Sequence, residues 1–320
     1  MMKVYNGLTS LKNVKFRSAV TLGVFDGVHL GHRRIISSLV EKSRQLKLKS
    51  VAITFEPHPE KLWNKRQLHY INTLSERLEL IGSLGVDVCV VVNFTKKFAS
   101  MEAKKFIAEI LIKKLRMSVI TVNPEYKFGK DAAGTVHLLD KLGVECDFKI
   151  LRVKTVKRGG KTVKSTLIRH LLREACLRRA NTLLGRPYFI EAAVIRGSGY
   201  GTKLGYPTVN LKLRQDILLP EGVYICQAGL SGRQYGAAVN IGYRPTINKN
   251  PYRDRTIEAY LLNFSKSIYG KNVKIHFYKK IRDEKRFKNA ACLKKAIEAD
   301  VKKTKNYFKM KKLKKLISEV

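Results

Sequence analysis

Up to about residue 180, short apolar runs alternate with stretches of helical periodicity, and this alternation constrains the fold more than any other feature of the chain. The strand-like runs cover residues 19–24, 51–55, 86–92, 117–122 and 148–153. The helical stretches cover residues 33–46, 75–84, 101–115 and 168–184. Strands that alternate with helices are typical of a parallel sheet covered by helices. We therefore predict an α/β domain with a parallel sheet in this half.

Open α/β sheets bind their ligands at the carboxyl ends of the strands. Three loops follow strands of this domain, at residues 23–32, 56–59 and 123–129. We expect the three loops to converge on one crevice.

The pattern changes after a Gly185-Arg186-Pro187 turn. Short β-rich runs follow, at residues 189–195, 222–228, 236–241, 256–262 and 273–277. Runs of this length, separated by Gly and Pro, predict a small antiparallel β-barrel. A basic helix is expected over residues 293–317. We place the domain boundary between residues 183 and 184, which gives domains of residues 1–183 and 184–320.

The loop at residues 23–32 carries two histidines, His29 and His32, just where a strand gives way to a helix. Free backbone amides and the helix dipole favour anions at a helix N-terminus. Glycines at positions 23, 27 and 31 allow close backbone approach to a polyphosphate. We favour phosphate chemistry here; the alternatives are a metal site and a purely structural histidine pair. No nearby Cys or Glu completes a plausible set of metal ligands.

A second phosphate contact is suggested by the start of the helix before the domain boundary. Ser165 or Thr166 is a natural N-cap, and Arg169 follows one turn later. Capped helices are common, so this pattern is weak by itself. Together with the histidines it provides two ends of a polyphosphate clamp.

In the second half, residues 201–210 resemble a phosphate-covering flap that leads into a strand. Thr208 and Asn210 are two residues apart on that strand, so both project to one face and could hold Mg²⁺ with phosphate oxygens. The alternative is a polar turn that merely enters a strand. The glycines of residues 197–201 are not a dinucleotide fingerprint, because Pro207 follows and we expect no helix from them. Glu258 lies in a strand, and the pattern alone favours an orientation toward solvent.

Composition excludes several classes of protein. The 320 residues are 44% hydrophobic, and no uncharged apolar run is long enough for a membrane helix. Five widely spaced cysteines argue against a disulfide framework and against a structural zinc site. The formal net charge of +39 suits anionic ligands, but no motif that reads nucleic acid is present, so we expect no specific nucleic-acid partner. We expect a cytoplasmic protein, and homo-oligomerisation stays open.

Taken together, these motifs resemble the bifunctional bacterial riboflavin kinase/FAD synthetase family over residues 21–300. The first half resembles its FMN adenylyltransferase module through GVFDGVHLGH (residues 23–32), TFEPHP (54–59), FG (128–129) and STLIR (165–169). The second half resembles its riboflavin kinase module through LLGRPY (183–188), LGYPTVN (204–210), GVY (222–224), NIGYRPT (240–246) and IE (257–258). The resemblance implies a Rossmann-like nucleotidyltransferase domain followed by a riboflavin kinase-like barrel.

The resemblance also implies two sequential reactions, in which riboflavin and ATP give FMN, and FMN and a second ATP give FAD and pyrophosphate. Glu258 would be the base of the kinase step, which reverses its solvent-facing interpretation, and Thr208 and Asn210 would place Mg²⁺-ATP. His29 and His32 would stabilise charge on the α-phosphate during adenylyl transfer. Ser165, Thr166 and Arg169 would hold the leaving pyrophosphate. The remaining nucleotide contacts that it implies are Gly23, Phe25, Asp26, Gly31, Gly201, Lys203, Gly205 and Pro207.

The chain departs from the family pattern at a few positions. Pro124 and Glu125 stand where the family usually has a glycine-preceded Asp or Asn, and Tyr200 stands where an arginine is frequent. Asp26 either orients its loop or assists Mg²⁺. Two alternatives therefore remain: a chain with only one active module, and a flavin-sensing protein that binds nucleic acid.

Overall fold

The computed structural model describes residues 1–11, 14–63, 68–197, 199–213, 215–243 and 255–318. The chain divides into two compact units, Met1–Ser165 and Thr166–Val320. Among the described residues, no helix is both long and apolar enough to cross a membrane.

The first unit is built on a six-stranded sheet in which every neighbouring pair is parallel. Its strands are β1 (Lys3–Asn6), β2 (Ser18–Leu22), β3 (Lys49–Glu56), β4 (Val88–Asn93), β5 (Met117–Val122) and β6 (Lys149–Arg152). The strand order is β1-β4-β3-β2-β5-β6. All five residues of β2 are buried, as expected for a central strand covered on both faces. The predicted parallel α/β domain is therefore confirmed, and β1 is an additional edge strand.

The helices of the first unit cover the sheet. They are α1 (Leu30–Gln45), α2 (Glu60–Trp63), α3 (Leu74–Gly82), α4 (Lys96–Ala99), α5 (Ala103–Lys105) and α6 (Val136–Glu145). A π-helix at Phe106–Lys114 follows α5 directly, and a small hairpin of β7 (Lys157–Arg158) and β8 (Lys161–Thr162) follows β6. The larger apolar core includes residues of β2, β3, β4, β5 and the π-helix, whereas Phe25, Val28 and Ile36 belong to a separate core cluster.

The order of the strands creates a switch point between β2 and β5. From β2 the chain proceeds to β3 and β4 on one side, and from β5 it proceeds to β6 on the other. Loops that leave the carboxyl ends of two such strands diverge and open a crevice. The loops involved are residues 23–29 after β2 and residues 123–129 after β5.

The predicted helix at residues 168–184 is wrong as a single element. The structure has α7 (Ser165–Arg173) and α8 (Leu177–Leu184), separated by Ala175 at a φ of 50°. The buried leucines of α7 end at Leu172 and those of α8 begin at Leu177. A spacing of five residues does not keep one face of a continuous helix, so the break lets both helices bury their apolar faces.

The second unit is a closed barrel of six antiparallel strands, with strand order β10-β13-β12-β11-β14-β9. The strands are β9 (Tyr188–Ile195), β10 (Val209–Leu213), β11 (Gly222–Leu230), β12 (Arg233–Tyr243), β13 (Arg255–Leu261) and β14 (Asn272–Arg282). A helical turn α9 (Tyr200–Lys203) precedes β10, and the helix α10 (Ala290–Ser318) follows β14. The predicted barrel and terminal helix are both confirmed. The expectation of no helix near residue 200 is wrong, because Gly199 takes a φ of 69° and caps one turn.

The compact second unit begins before the boundary expected from the sequence. The amide of Asn181 in α8 donates to the carbonyl of Phe277 in β14 at 2.9 Å, and the Asn181 Oδ1 accepts from the Tyr188 amide at 2.7 Å. Helix α8 therefore packs on the barrel. The functional boundary at 183/184 is a separate matter and stays a prediction.

Candidate active sites

The two histidines form a stacked pair at the start of α1. His29 is the N-cap, and its Nδ1 accepts from the amide of His32 at 3.4 Å. The ring centroids of His29 and His32 are 3.6 Å apart and nearly parallel, while the ring of Phe25 packs edge-on against His32 at 5.3 Å. A Cβ on residue 31 would lie 3.1 Å from the His29 ring, so Gly31 leaves room for this stacking. The turn thus holds both imidazoles in fixed orientations.

A cavity of about 220 Å³ opens beside this pair. Its lining includes His29, His32, Gly31 and Ser165 from the sequence-predicted set, together with Asn123 and Glu125 from the loop after β5. Lys154 and Lys164 add positive charge to the same wall. The structure therefore brings the histidines and Ser165 together in a polar, cationic cavity at the switch point. We call it the histidine cavity.

Asp26 is buried and serves the backbone of its own neighbourhood. Its Oδ1 accepts from the amides of Ile71 at 2.9 Å and Asn72 at 3.4 Å. Its carbonyl accepts from the Ser165 hydroxyl at 2.9 Å. These bonds tie the loop after β2 to residues 71–72 and to the first residue of α7. Of the two roles considered for Asp26, this geometry supports orientation of the loop.

The loop after β2 also carries backbone strain. Phe25 and Val28 have φ values of 54° and 36°, which lie in a backbone region that residues other than glycine rarely adopt. Both side chains are almost fully buried, at 1% exposure, so core packing holds the unusual backbone in place. Phe25 therefore supports the site in two ways: its ring packs against His32, and its backbone shapes the loop after β2. Strained residues of this kind cluster at functional sites.

A second cavity, of about 300 Å³, lies at the same end of the sheet. All three predicted loops contribute to it, through Gly23 and Val24, through Pro59, and through residues 126–129. The expected convergence of the loops is therefore confirmed. Its aromatic lining residues are Phe55, Phe94, Phe98, Phe106, Tyr126 and Phe128. We call it the aromatic cavity.

The sequence did not identify the aromatic cavity, because its rings come from separate elements. Burial raises the pKa of the Tyr126 hydroxyl above its ordinary value, so this group stays protonated. The Tyr126 and Phe128 rings stack with centroids 5.7 Å apart. At residue 129 the φ is 74°, and a Cβ would lie 2.8 Å from the backbone of Ala103, so only glycine fits this corner. The result is an apolar cavity lined by aromatic rings.

Thr166 and Arg169 belong to the second compact unit, one and four residues after Ser165 in α7. Arg169 is buried, at 5% exposure. Ser165 is thus the member of the predicted pyrophosphate set that the structure places in the histidine cavity. The roles of Thr166 and Arg169 stay predictions.

In the barrel, three polar residues face one another across adjacent strands. Asn210 of β10 is directly opposite Glu258 of β13, which is directly opposite Asn240 of β12. Directly opposite residues point to the same face of a sheet. The residues before and after Glu258 in β13, Ile257 and Ala259, are buried in the barrel interior. Because side chains alternate along a strand, Glu258 lies on the outer face of the barrel wall. Asn240 was not among the predicted site residues, although its NIG motif was recognised.

A cavity of about 410 Å³ covers Glu258 and Asn240 of this row, whereas Asn210 is not among its lining residues. Its polar lining includes Thr208, Asn240 and Glu258, and its apolar lining includes Leu293 and Ile297 of α10. Glu258 is therefore half-buried in a cavity beneath α10, and the solvent-facing interpretation drawn from the pattern alone is wrong. We call it the barrel cavity.

The flap before β10 is organised by glycine. A Cβ on residue 201 would lie 2.5 Å from the carbonyl of Tyr206 and 2.8 Å from the Thr208 hydroxyl, so Gly201 allows the flap to fold tightly over Thr208. Gly205 turns the backbone at a φ of 85°. Lys203 and Pro207 are exposed on the flap. Thr208 itself precedes β10, whereas Asn210 lies within it and packs against Gly197. Ser198 of the glycine-rich segment and residues 244–246 of the NIGYRPT motif lie outside the described residues.

Comparison with known proteins matches one family to each half. A family model described as FAD synthetase matches residues 11–167, and one described as riboflavin kinase matches residues 184–308. The chain is 35% identical to a bifunctional riboflavin kinase/FMN adenylyltransferase of Buchnera aphidicola subsp. Schizaphis graminum, over 97% of this chain and 100% of the relative. The chain belongs to the bifunctional riboflavin kinase/FMN adenylyltransferase family.

Other relatives of this bifunctional family are similar over the same length. The protein of Escherichia coli strain K12 is 33% identical over 97% of this chain and 99% of its own. A crystal structure of a protein described as a macrolide-efflux protein from Streptococcus pneumoniae matches with a TM-score of 0.85 and 26% identity, covering 95% of this chain. The histidine and aromatic cavities lie within the FAD synthetase match, and the residues of the barrel cavity lie within the riboflavin kinase match.

Proposed function

We propose that this enzyme phosphorylates riboflavin with ATP to give FMN in the barrel unit, and adenylylates FMN with a second ATP to give FAD and pyrophosphate in the α/β unit. The observation that carries the proposal is that each family match contains its own cavity, lined by His29, His32 and Ser165 in the first match and by Thr208, Asn240 and Glu258 in the second. We assign residues 1–183 to the FMN adenylyltransferase and residues 184–320 to the riboflavin kinase. The gap between the two family matches, from residue 167 to residue 184, supports this division.

In the kinase step, the ribityl hydroxyl of riboflavin attacks the γ-phosphorus of ATP. Glu258 accepts the proton of that hydroxyl, the bond from the γ-phosphorus to the bridging oxygen breaks, and ADP leaves. The half-buried position of Glu258, between Asn210 and Asn240, supports this role because both amides can hold the carboxylate in a fixed orientation. The apolar wall from α10 gives the flavin ring an apolar surface beside the reacting hydroxyl.

Thr208 and Asn210 fit a Mg²⁺ ion that accompanies ATP. Hydroxyl and amide oxygens belong to the oxygen donors that Mg²⁺ prefers. A Cβ at residue 201 would lie 2.8 Å from the Thr208 hydroxyl, so glycine at this position keeps a side chain from crowding that oxygen. Bound Mg²⁺ would neutralise charge on the phosphates of ATP. Gly201 and Gly205 let the flap backbone approach those phosphates, and Lys203 adds a positive charge.

In the adenylyl step, a phosphate oxygen of FMN attacks the α-phosphorus of ATP. The bond between the α-phosphorus and the bridging oxygen breaks, and pyrophosphate leaves. The attacking phosphate is already anionic and needs no base. His29 and His32 donate hydrogen bonds to the α-phosphate, and the N-terminal amides of the 16-residue helix α1 add their partial positive charge. Ser165, Thr166 and Arg169 hold the pyrophosphate.

The aromatic cavity is the place for the flavin ring of FMN in this step. Its volume of about 300 Å³ and its six aromatic side chains suit a flat, aromatic ligand. Gly23, which precedes α1, lines the aromatic cavity. Gly31, the second residue of α1, lines the histidine cavity. The glycine-rich loop after β2 therefore joins the ring site to the phosphate site.

The test is a product time course with the purified chain. With riboflavin, ATP and Mg²⁺, chromatography should show FMN first and FAD later. Omission of Mg²⁺ should stop FMN formation. Complete absence of phosphorylated flavin would overturn the proposal, and FMN without any FAD would restrict the activity to the barrel unit.

A further inference from the structure

Arg77 in α3 is fully buried and contacts the ends of two neighbouring strands. Its side chain is 1% exposed. One guanidinium nitrogen, Nη1, donates to the carbonyl of Val24 at 2.9 Å, just after β2. The other, Nη2, donates to the carbonyl of Phe55 at 3.4 Å and to the Glu56 carboxylate at 2.7 Å, at the end of β3. One planar cation thus joins the exits of β2 and β3.

The two strand exits that Arg77 joins are walls of the aromatic cavity. Val24 and Phe55 both line it, whereas Arg77 lies behind them and is not among its lining residues. Burying a charged group is costly unless it is paired and hydrogen-bonded, so a guanidinium at this depth needs all of these acceptors. A lysine carries its charge on one nitrogen at the end of a flexible chain, so it cannot reproduce the hydrogen bonds that Arg77 donates from two nitrogens of a planar group.

The carboxylate of Glu56 extends the network to the loop after β3. Its Oε1 accepts from the Tyr70 hydroxyl at 2.9 Å, and that hydroxyl accepts from the His58 amide at 2.6 Å. Burial raises the pKa of Tyr70 to about 12, and the nearby Glu56 charge also raises it, so the hydroxyl keeps its proton at assay pH.

The same segment also holds the histidine loop. Asp26 accepts from the backbone amides of Ile71 and Asn72, which follow Tyr70 directly. Residues 70–77 are therefore attached to the loop after β2 at Val24 and Asp26, and to the loop after β3 at Glu56 and His58. This segment sets the spacing of the two loops at the mouth of the site.

We propose that Arg77 is a positioning residue for adenylyl transfer, which fixes the loops after β2 and β3 at the spacing that the flavin ring of FMN requires. This inference rests on the proposed function of the α/β unit. Arg77 acts through Val24 and Phe55 and touches no reacting atom. Its loss should therefore weaken FMN binding more than it lowers the rate of the bound complex.

The test compares steady-state kinetics of the wild-type chain with those of Arg77→Lys. We expect the KM for FMN to rise about tenfold, which is about 1.4 kcal/mol of binding free energy, because displaced walls of the aromatic cavity lose contacts with the flavin ring. The kcat should fall less, and riboflavin phosphorylation should keep its wild-type KM and kcat. Arg17→Lys is the matched control, since Arg17 is exposed before the amino end of β2 and donates to the Ser118 hydroxyl. It should leave the KM for FMN unchanged.

A second control separates positioning from loss of stability. Val119→Ala removes two methyl groups from the core of β5, where Val119 is 1% exposed and packs with Ala19 and Leu39. It should lower the Tm of the α/β unit without changing the KM for FMN. If Arg77→Lys does not unfold cooperatively, Glu56→Gln is measured instead. That variant leaves both carbonyl acceptors of Arg77 in place and should raise the KM for FMN by a smaller factor, about threefold.

The outcomes are distinguishable. A wild-type chain that forms no FAD from FMN would overturn the proposed function, and this inference with it. An active wild type with an unchanged KM for FMN in Arg77→Lys, or in Glu56→Gln where that variant replaces it, would overturn the inference alone. A variant that loses only kcat in proportion to its folded fraction would assign Arg77 a merely structural role and would also overturn it.

Discussion

Replacing Glu258 by glutamine isolates the proton-accepting step of the kinase. Glutamine has nearly the same shape as glutamate, so it can occupy the same place opposite Asn210 and Asn240. It cannot accept the proton of the ribityl hydroxyl. The cavity wall from α10 and the Thr208 hydroxyl stay in place. The variant should therefore bind riboflavin and ATP as the wild type does, but transfer the phosphoryl group slowly.

The size of the effect follows from the role of a general base. A positioned base contributes about 10²–10⁴-fold to the rate. At about 1.36 kcal/mol for each factor of ten, this corresponds to about 2.7–5.4 kcal/mol in the activation free energy. We expect kcat for FMN formation to fall by such a factor while the KM for riboflavin stays within about twofold, since uniform binding is unaffected.

The assay follows FMN from riboflavin and FAD from FMN separately, on the same preparation of Glu258→Gln. FAD formation from supplied FMN should be unchanged, because the histidine and aromatic cavities lie in the other unit. The control is Glu191→Gln, which removes a barrel carboxylate paired with Lys274 at 3.1 Å, outside the residues that line the barrel cavity. A kcat for FMN formation within threefold of the wild type, or a parallel loss of both activities, would refute the reasoning.

Two further predictions concern reactivity and stability. The exposed Cys146, Cys176 and Cys292 should react quickly with a thiol reagent in the native protein, and the buried Cys89 and Cys226 should not. Burial raises the pKa of Cys89 to about 12 and raises that of Cys226 well above its ordinary value. Five fast-reacting thiols would contradict this burial. Burial raises the pKa of Asp87, but hydrogen bonds from Ser50 and Lys49 together outweigh it and leave the pKa below its ordinary value. Asp87→Asn should therefore lower the Tm at pH 7, as measured by differential scanning calorimetry. The difference in Tm from wild type should shrink as the pH falls below about 4, because the wild-type carboxylate then takes up its proton. A difference in Tm that does not change with pH would refute this account.

The parts of the fold with a clear pattern of apolar residues could be predicted from the sequence. Five of the six parallel strands are apolar runs, and the barrel strands are separated by Gly and Pro. Strand β1 was missed because its four residues carry little apolar pattern and three of them are exposed. The break at Ala175 was missed because the leucines on both sides suggested one helix, although their five-residue spacing shifts the face.

The candidate sites show the same division. The histidine turn could be found because its residues are contiguous in the chain, and the loops after β2, β3 and β5 could be placed together by a rule about strand ends. Asn240 and the aromatic cavity could not, since their neighbours are set by strand register and by packing of distant segments. Glu258 shows the limit most clearly. Its alternating pattern is that of a solvated side chain, and the packing of α10 and the flap over that face makes it part of a cavity.

The central claim is that the two reactions use separate sites, one in residues 1–183 and one in residues 184–320, and mixing two single-site variants tests it most directly. Glu258→Gln disables the kinase, and His29→Asn removes an imidazole while it keeps an N-cap acceptor for α1. With riboflavin, ATP and Mg²⁺, the first variant should form almost no FMN within the wild-type time course and the second should accumulate FMN, whereas their mixture should form FAD. A mixture that forms no FAD, although each variant is folded, would contradict the assignment of two separate sites.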